Sequence, residues 1–331
     1  MKVDYIEDSE NGIISQANIS FVDLVLTTNN YLFTLALKEN TALQNFAINS
    51  SIVYSTQRKN KNVILTKSTI SGTTATRVGG VEINNAGHGQ TLEYISKGSY
   101  VGSLLFSFNA FEDVNNNVWS TEIGILDLSK VDFEKENASY NYSIFKRFTD
   151  FEYATASGNS SGALLRVDAA LSTDQSTILI WKRGVSVYNE FIGYDFSTFC
   201  SELKNATTNT VSFKNNETMK KACKFYFTDE NIDGLPTSFQ GIELSNVSNG
   251  IYSIYTASGN ENNTTNRIYR LNSSGLLKKA GKIVHHYFNP GVQYEIEGIK
   301  ISGDHLLFSL VRSSGDKTKP LIMKINKSLL Q

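Results

Sequence analysis

A chain of 331 residues, 40% hydrophobic and 11% aromatic, carries enough apolar surface for a packed core, which excludes a disordered protein. Its formal net charge of −1, with 31 basic and 32 acidic residues evenly spread, excludes a nucleic-acid partner, because phosphate binding needs a clustered basic face. No stretch is long and apolar enough to cross a bilayer, so no transmembrane insertion is expected, and the acidic, non-apolar residues 1–18 do not read as a classical signal peptide.

In chain order, one phrase recurs: an apolar stretch, a small polar break, a second apolar stretch, then a strand ending in Asn or Asp with Ser close behind. The first copy reads Phe21-Val22-Asp23-Leu24-Val25-Leu26, then Tyr31-Leu32-Phe33-Thr34-Leu35, closing on Phe46-Ala47-Ile48-Asn49-Ser50. The second opens at 90–95, continues at 103–107 and closes on Ile125-Leu126-Asp127-Leu128-Ser129. The third takes 162–167, 178–181 and Gly193-Tyr194-Asp195-Phe196-Ser197. The fourth takes 240–244, 251–255 and Arg270-Leu271-Asn272-Ser273, and the fifth 297–301, 306–310 and Lys324-Ile325-Asn326-Lys327-Ser328.

Strand, tight polar turn, strand, connection and strand make an antiparallel meander, and repeats of this size made only of strands predict a β-propeller. The expected fold is all-β, a five-bladed propeller forming one domain over 1–331. Outer strands follow four copies, at 62–70, 142–153, 224–228 and 282–288. The fifth copy has none, so 2–6 is expected to complete it, pairing N- and C-terminal strands and removing an exposed edge.

The four histidines, His88, His285, His286 and His305, give no metal-ligand spacing, and His285 and His286 in an alternating strand point to opposite faces. No metal or other cofactor is expected. Cys200 and Cys223 leave one bridge or two free thiols open. No Gly-x-Ser-x-Gly stands in a helical context, and P-loop and dinucleotide motifs are absent. Trp119 and Trp181 fall inside strands and read as core, whereas Tyr100 and Tyr188 read as loop aromatics.

Glycoside hydrolysis needs a carboxylate pair, and Asp23, Glu93, Asp168, Glu243 and Glu297 are the inner-strand candidates for it. Each sits in apolar sequence, so alternation leaves open whether it faces the channel or a neighbouring blade. The glycine-rich segment 79–94 places His88 and Gln90 just ahead of an inner strand, and Gln240 and Glu297 occupy the matching positions in later copies. A polar ring of His88, Gln90, Gln240 and Glu297 around the channel mouth would hold a sugar or another polar ligand. Hydrogen bonding of the same side chains to neighbouring backbones is the alternative.

The core of that segment, Gly87-His88-Gly89-Gln90-Thr91-Leu92-Glu93-Tyr94, resembles the corresponding part of the helveticin J family of large, heat-labile class III bacteriocins, and the likeness extends over nearly the whole chain. The resemblance implies a folded protein that inhibits bacteria related to its producer, and it supplies no catalytic motif; a secreted monomer is expected. Two hypotheses follow. In the first, the protein binds a cell-surface glycan or receptor of target bacteria without being an enzyme. In the second, it is a carbohydrate-active enzyme that uses the channel-mouth carboxylates on cell-wall polysaccharide.

Overall fold

The computed structural model describes residues 21–135, 137–184, 188–230, 232, 235–236, 239–260, 263–285 and 292–331, with only the backbone at 260 and 263–265 and in two short strands, Ile6–Glu7 and Ile14–Ser15. Strands dominate, with two short α-helices at Phe196–Asn205 and Glu217–Lys221. Among the described residues the strands form five four-stranded meanders. Their innermost strands are Leu43–Asn49, Leu92–Tyr94, Leu164–Leu171, Gly241–Leu244 and Tyr294–Ser302. Each innermost strand touches the next in this order, and the last touches the first. The five hydrophobic clusters lie largely between neighbouring sheets, as with Ile95, Leu105, Phe148, Val167, Ile178 and Ile192 between the second and third.

Sheets packed on both faces explain the sequence pattern. A strand buried on both sides reads as a continuous apolar run, and Ile178-Leu179-Ile180-Trp181 is buried at every position. Period-two alternation is lost in such strands, so it does not assign the charged residues to a face.

The first meander begins two strands later than the sequence repeat predicts, at Leu43–Asn49. The strands Phe21–Val25 and Tyr31–Leu35 are not the start of a first blade. The former pairs in parallel with Leu277–Val284 at the outer edge of the fourth meander, and the latter pairs antiparallel with Leu321–Asn326 as the fourth strand of the fifth. Closure of the last meander by an early strand therefore occurs, but through Tyr31–Leu35. Of the expected segment 2–6 only Ile6 is described, in the strand that pairs with Ile14–Ser15. Tyr31–Leu35 also pairs in parallel with Thr74–Asn84, joining the first and fifth meanders at the rim.

The recurring Asn or Asp with Ser behind it has a local cause. Asp127 accepts a hydrogen bond from the Ser129 backbone at 3.0 Å, Asp195 from Thr198 at 2.8 Å, Asn272 from Ser274 at 3.1 Å and Asn326 from Ser328 at 2.9 Å. Each side chain caps the turn that ends a third strand. Asn49-Ser50 differs: it ends an innermost strand in a tight turn, with Ser50 at φ 56°. A similar dipeptide thus has a different role here, at the end of an innermost strand rather than a third one.

Candidate functional site

The innermost strands run in the same direction, as the parallel bridge between Ser172 and Leu244 marks for the third and fourth. At the end where they finish lies a cavity of about 450 Å³, walled by Asn49, Ser96, Ser172, Thr173, Gln175 and Ser302, with Glu93, Glu243 and Lys300 in its lining. Lys300 Nζ donates to Glu93 Oε1 at 2.5 Å and to Glu243 Oε1 at 2.7 Å, and Glu243 Oε2 accepts from the Ile301 backbone at 3.3 Å. Both carboxyls sit on one ammonium and Glu243 is hydrogen-bonded to Glu93, closer than the roughly 5–5.5 Å at which retaining glycosidases hold their carboxyl pair.

Burial raises the Glu243 carboxyl well above the usual carboxylate range, and the negative charge of Glu93 adds to that effect beyond what Lys300 offsets. Burial works against the Lys300 charge too, yet the two carboxyls outweigh it and raise the lysine.

At the opposite end, where the innermost strands begin, Gln240 Nε2 donates to Glu295 Oε1 at 2.8 Å and to the Gly259 carbonyl at 3.1 Å. Two acceptors fix that amide, so Gln240 Oε1 accepts from Gln90 Nε2 at 3.0 Å and Gln90 Oε1 is turned away. Gln90 Oε1 and Glu297 Oε2 are buried without a hydrogen-bond partner. Burial, with Glu295 nearby, pushes the Glu297 carboxyl well up. Asn45 donates to the Gln90 carbonyl, and Gly298 donates from its backbone to the Gln240 carbonyl at 2.8 Å. Gly298 adopts φ +64°, and a Cβ there would press on Asn45.

His88 belongs to a neighbouring cluster. Gly87, at φ +86°, brings the chain so close to the Trp119 carbonyl that no side chain fits, and this seats the half-buried His88 ring on the Trp119 indole with centroids 4.8 Å apart. His88 Nδ1 lies 2.8 Å from the Val118 carbonyl, an acceptor only, so Nδ1 carries the proton. Burial, then the charges of Arg166 and Arg58, push the imidazole down to about 3. The Arg166 guanidinium stacks between the two tryptophans of the chain, 4.4 Å from Trp119 and 4.5 Å from Trp181, and pairs with Asp168 at 2.7 Å.

The structure therefore brings Glu93 to Glu243 and Gln90 to Gln240, gives Asp168 to Arg166, and sets His88 apart from the other ring residues. Asp23 is not on an innermost strand: it is exposed on the outer strand Phe21–Val25, opposite Lys282, and that placement removes it from the channel. Lys300, Arg166, Glu295 and Asn45 were not singled out from sequence. A lone Lys between Ile299 and Ile301 was the available signal, since a charge inside an apolar run must find a partner. Cys200 and Cys223 are free thiols, and His286 lies outside the described residues. Among the described residues no cluster of His, Cys, Asp and Glu suits a metal ion, and no helix is long and apolar enough to cross a membrane.

Solved structures with similar folds include the WD40 domain of Toxoplasma gondii coronin, 9% identical over 93% of this chain and 89% of that one, with a TM-score of 0.39. A thermostable family-43 glycoside hydrolase is 9% identical over 93% and 92% of the two chains, with a TM-score of 0.39. A protein from Lactobacillus plantarum is 9% identical over 88% and 90%, with a TM-score of 0.31. Likenesses this distant assign no ligand or activity. No curated protein matches the chain. The profile of the family described as bacteriocin helveticin-J matches residues 18–319, nearly the whole length, and the chain belongs to the helveticin J family.

Proposed function

We propose that this protein is a secreted, monomeric bacteriocin that recognises a cell-surface glycan or receptor of related bacteria in the central channel of a five-bladed propeller, without hydrolysing it. The observation that carries the reading is the Lys300 bridge. Glycoside hydrolysis needs an acid and a carboxylate flanking a scissile bond, whereas Glu93 and Glu243 are held on Lys300 and on each other. A cavity of about 450 Å³ walled by hydroxyls and amides suits a polar ligand of sugar size. The cycle of touching innermost strands supports the blade count.

Two other readings have an observation each. A ligand at the strand-start end, met by His88, Gln90, Gln240 and Glu297, is favoured by the unpartnered Gln90 and Glu297 oxygens. Hydrolysis by Glu93 and Glu243 is favoured by the raised Glu243 carboxyl, a property of general acids. The test is incubation of purified protein with walls and live cells of lactobacilli. Sedimentation with the cells and loss of viability, with no released reducing sugar or peptide, is the expected result; released fragments overturn it in favour of hydrolysis.

A further inference from the structure

We infer that the cavity at the finishing end of the innermost strands takes a ligand that presents one ammonium group on a hydroxyl-rich frame, such as an amino sugar with a free amine, seated against Glu93 and Glu243. This rests on the reading that the channel binds the ligand.

The charges of the lining argue it. Glu93, Glu243 and Lys300 are the charged side chains in the described wall, two carboxyls to one ammonium. Lys300 contacts one oxygen of each carboxyl, Glu243 is also hydrogen-bonded to Glu93, and Glu243 Oε2 accepts from the Ile301 backbone at 3.3 Å. One further cation would bring four charges to balance. Glu93 is the most accessible of the three, with 12% of its side chain exposed against 9% for Lys300 and 4% for Glu243, so it is the carboxylate that meets an incoming group first. Asn49, Ser96, Ser172, Thr173 and Ser302 in the surrounding wall offer donors and acceptors beside the apolar Ile48, Leu171 and Leu307, which suits hydroxyls and ring faces around the amine.

Binding is then a proton exchange. Burial, the Glu93 charge and the Glu93 hydrogen bond all favour the protonated Glu243 carboxyl, which shares its cavity wall with Lys300. The ligand's ammonium supplies the missing positive charge, so Glu243 ionises and about one proton leaves per ligand bound. Glu93, Lys300 and the Tyr94 phenol share the same cavity, and of these the carboxyl pair is what the cation reaches.

The experiment is isothermal titration of the full chain with glucosamine, glucose and N-acetylglucosamine at mildly acidic pH, each in two buffers of unlike ionisation enthalpy. Glucosamine is expected to bind at least about tenfold tighter than the two neutral sugars, a difference of about 1.4 kcal/mol, and to release about one proton. Glu243→Gln abolishes the release and the preference; Glu93→Gln does the same if the first variant fails to fold. Equal binding of the three sugars, or binding without proton release, overturns the inference while leaving a channel that binds sugar. If none binds, the inference is likewise overturned, and sedimentation of the same preparation with target cells then decides whether cell recognition stands without it.

Discussion

Acid should destabilise this protein through His88, and replacing His88 by Gln should remove that sensitivity. The folded imidazole is pushed down to about 3 by burial and by Arg166 and Arg58, while the unfolded one titrates near 6.5. A group whose folded pKa is depressed leaves stability intact above its unfolded pKa and loses it as pH falls toward the folded value. Each pH unit in that window is worth about 1.4 kcal/mol, so wild type should lose about 3 kcal/mol between neutral pH and pH 4 through this residue. Glu243 and Glu297, whose carboxyls are raised, act in the opposite sense: their contribution is complete in acid and is lost as pH rises through their folded values. Hence the difference between variants is more informative than the wild-type curve alone. Urea unfolding of wild type and His88→Gln across this range measures it. The Gln variant starts lower, having lost the stack on Trp119, and the two curves converge toward pH 4. Parallel curves refute the reasoning, since they would mean that His88 ionises as readily in the fold as outside it.

Lys300→Met leaves Glu93 and Glu243 buried without their cation and should cost about 3–5 kcal/mol by chemical denaturation; adding Glu93→Gln and Glu243→Gln should recover most of it, and a loss unchanged in the triple variant would contradict the bridge. Gly87→Ala should destabilise more than Gly102→Ala: both residues have positive φ, but the new methyl group meets the Trp119 carbonyl at 87 and open space at 102, where about 1 kcal/mol is expected. The Cys200 thiol, pushed up to about 12 by burial and by Asp195, should resist alkylation at pH 8 in the native protein and react on unfolding; rapid native labelling would place it elsewhere.

The sequence carried the architecture through its turns more than through its strands. Asp127, Asp195, Asn272 and Asn326 cap the ends of third strands and so announce the repeat directly. Asn49-Ser50 looks the same and does something else, because a tight turn and a cap draw on the same residue types. That one coincidence displaced the first meander and drew Asp23 into the channel candidates. Glu93, Asp168 and Glu243 were legible as inner-strand carboxyls, but their partners were not. Lys300 lies 207 positions from Glu93, and only the closed order of sheets brings them together. The helix Phe196–Asn205 was also missed: Phe196, Phe199, Cys200 and Leu203 are spaced for one buried face, yet the strand repeat on either side hid that period.

The central claim, recognition in the channel without hydrolysis, is tested most directly by the killing titre of Glu243→Gln on sensitive cells, alongside Glu93→Gln and with native folding of both checked by circular dichroism. A binding protein loses only affinity, and the account predicts a fall in titre of about ten- to a hundredfold that higher protein concentration recovers. A fall of about a thousandfold or more in either variant, the loss expected when a catalytic acid or nucleophile becomes its amide, would contradict it.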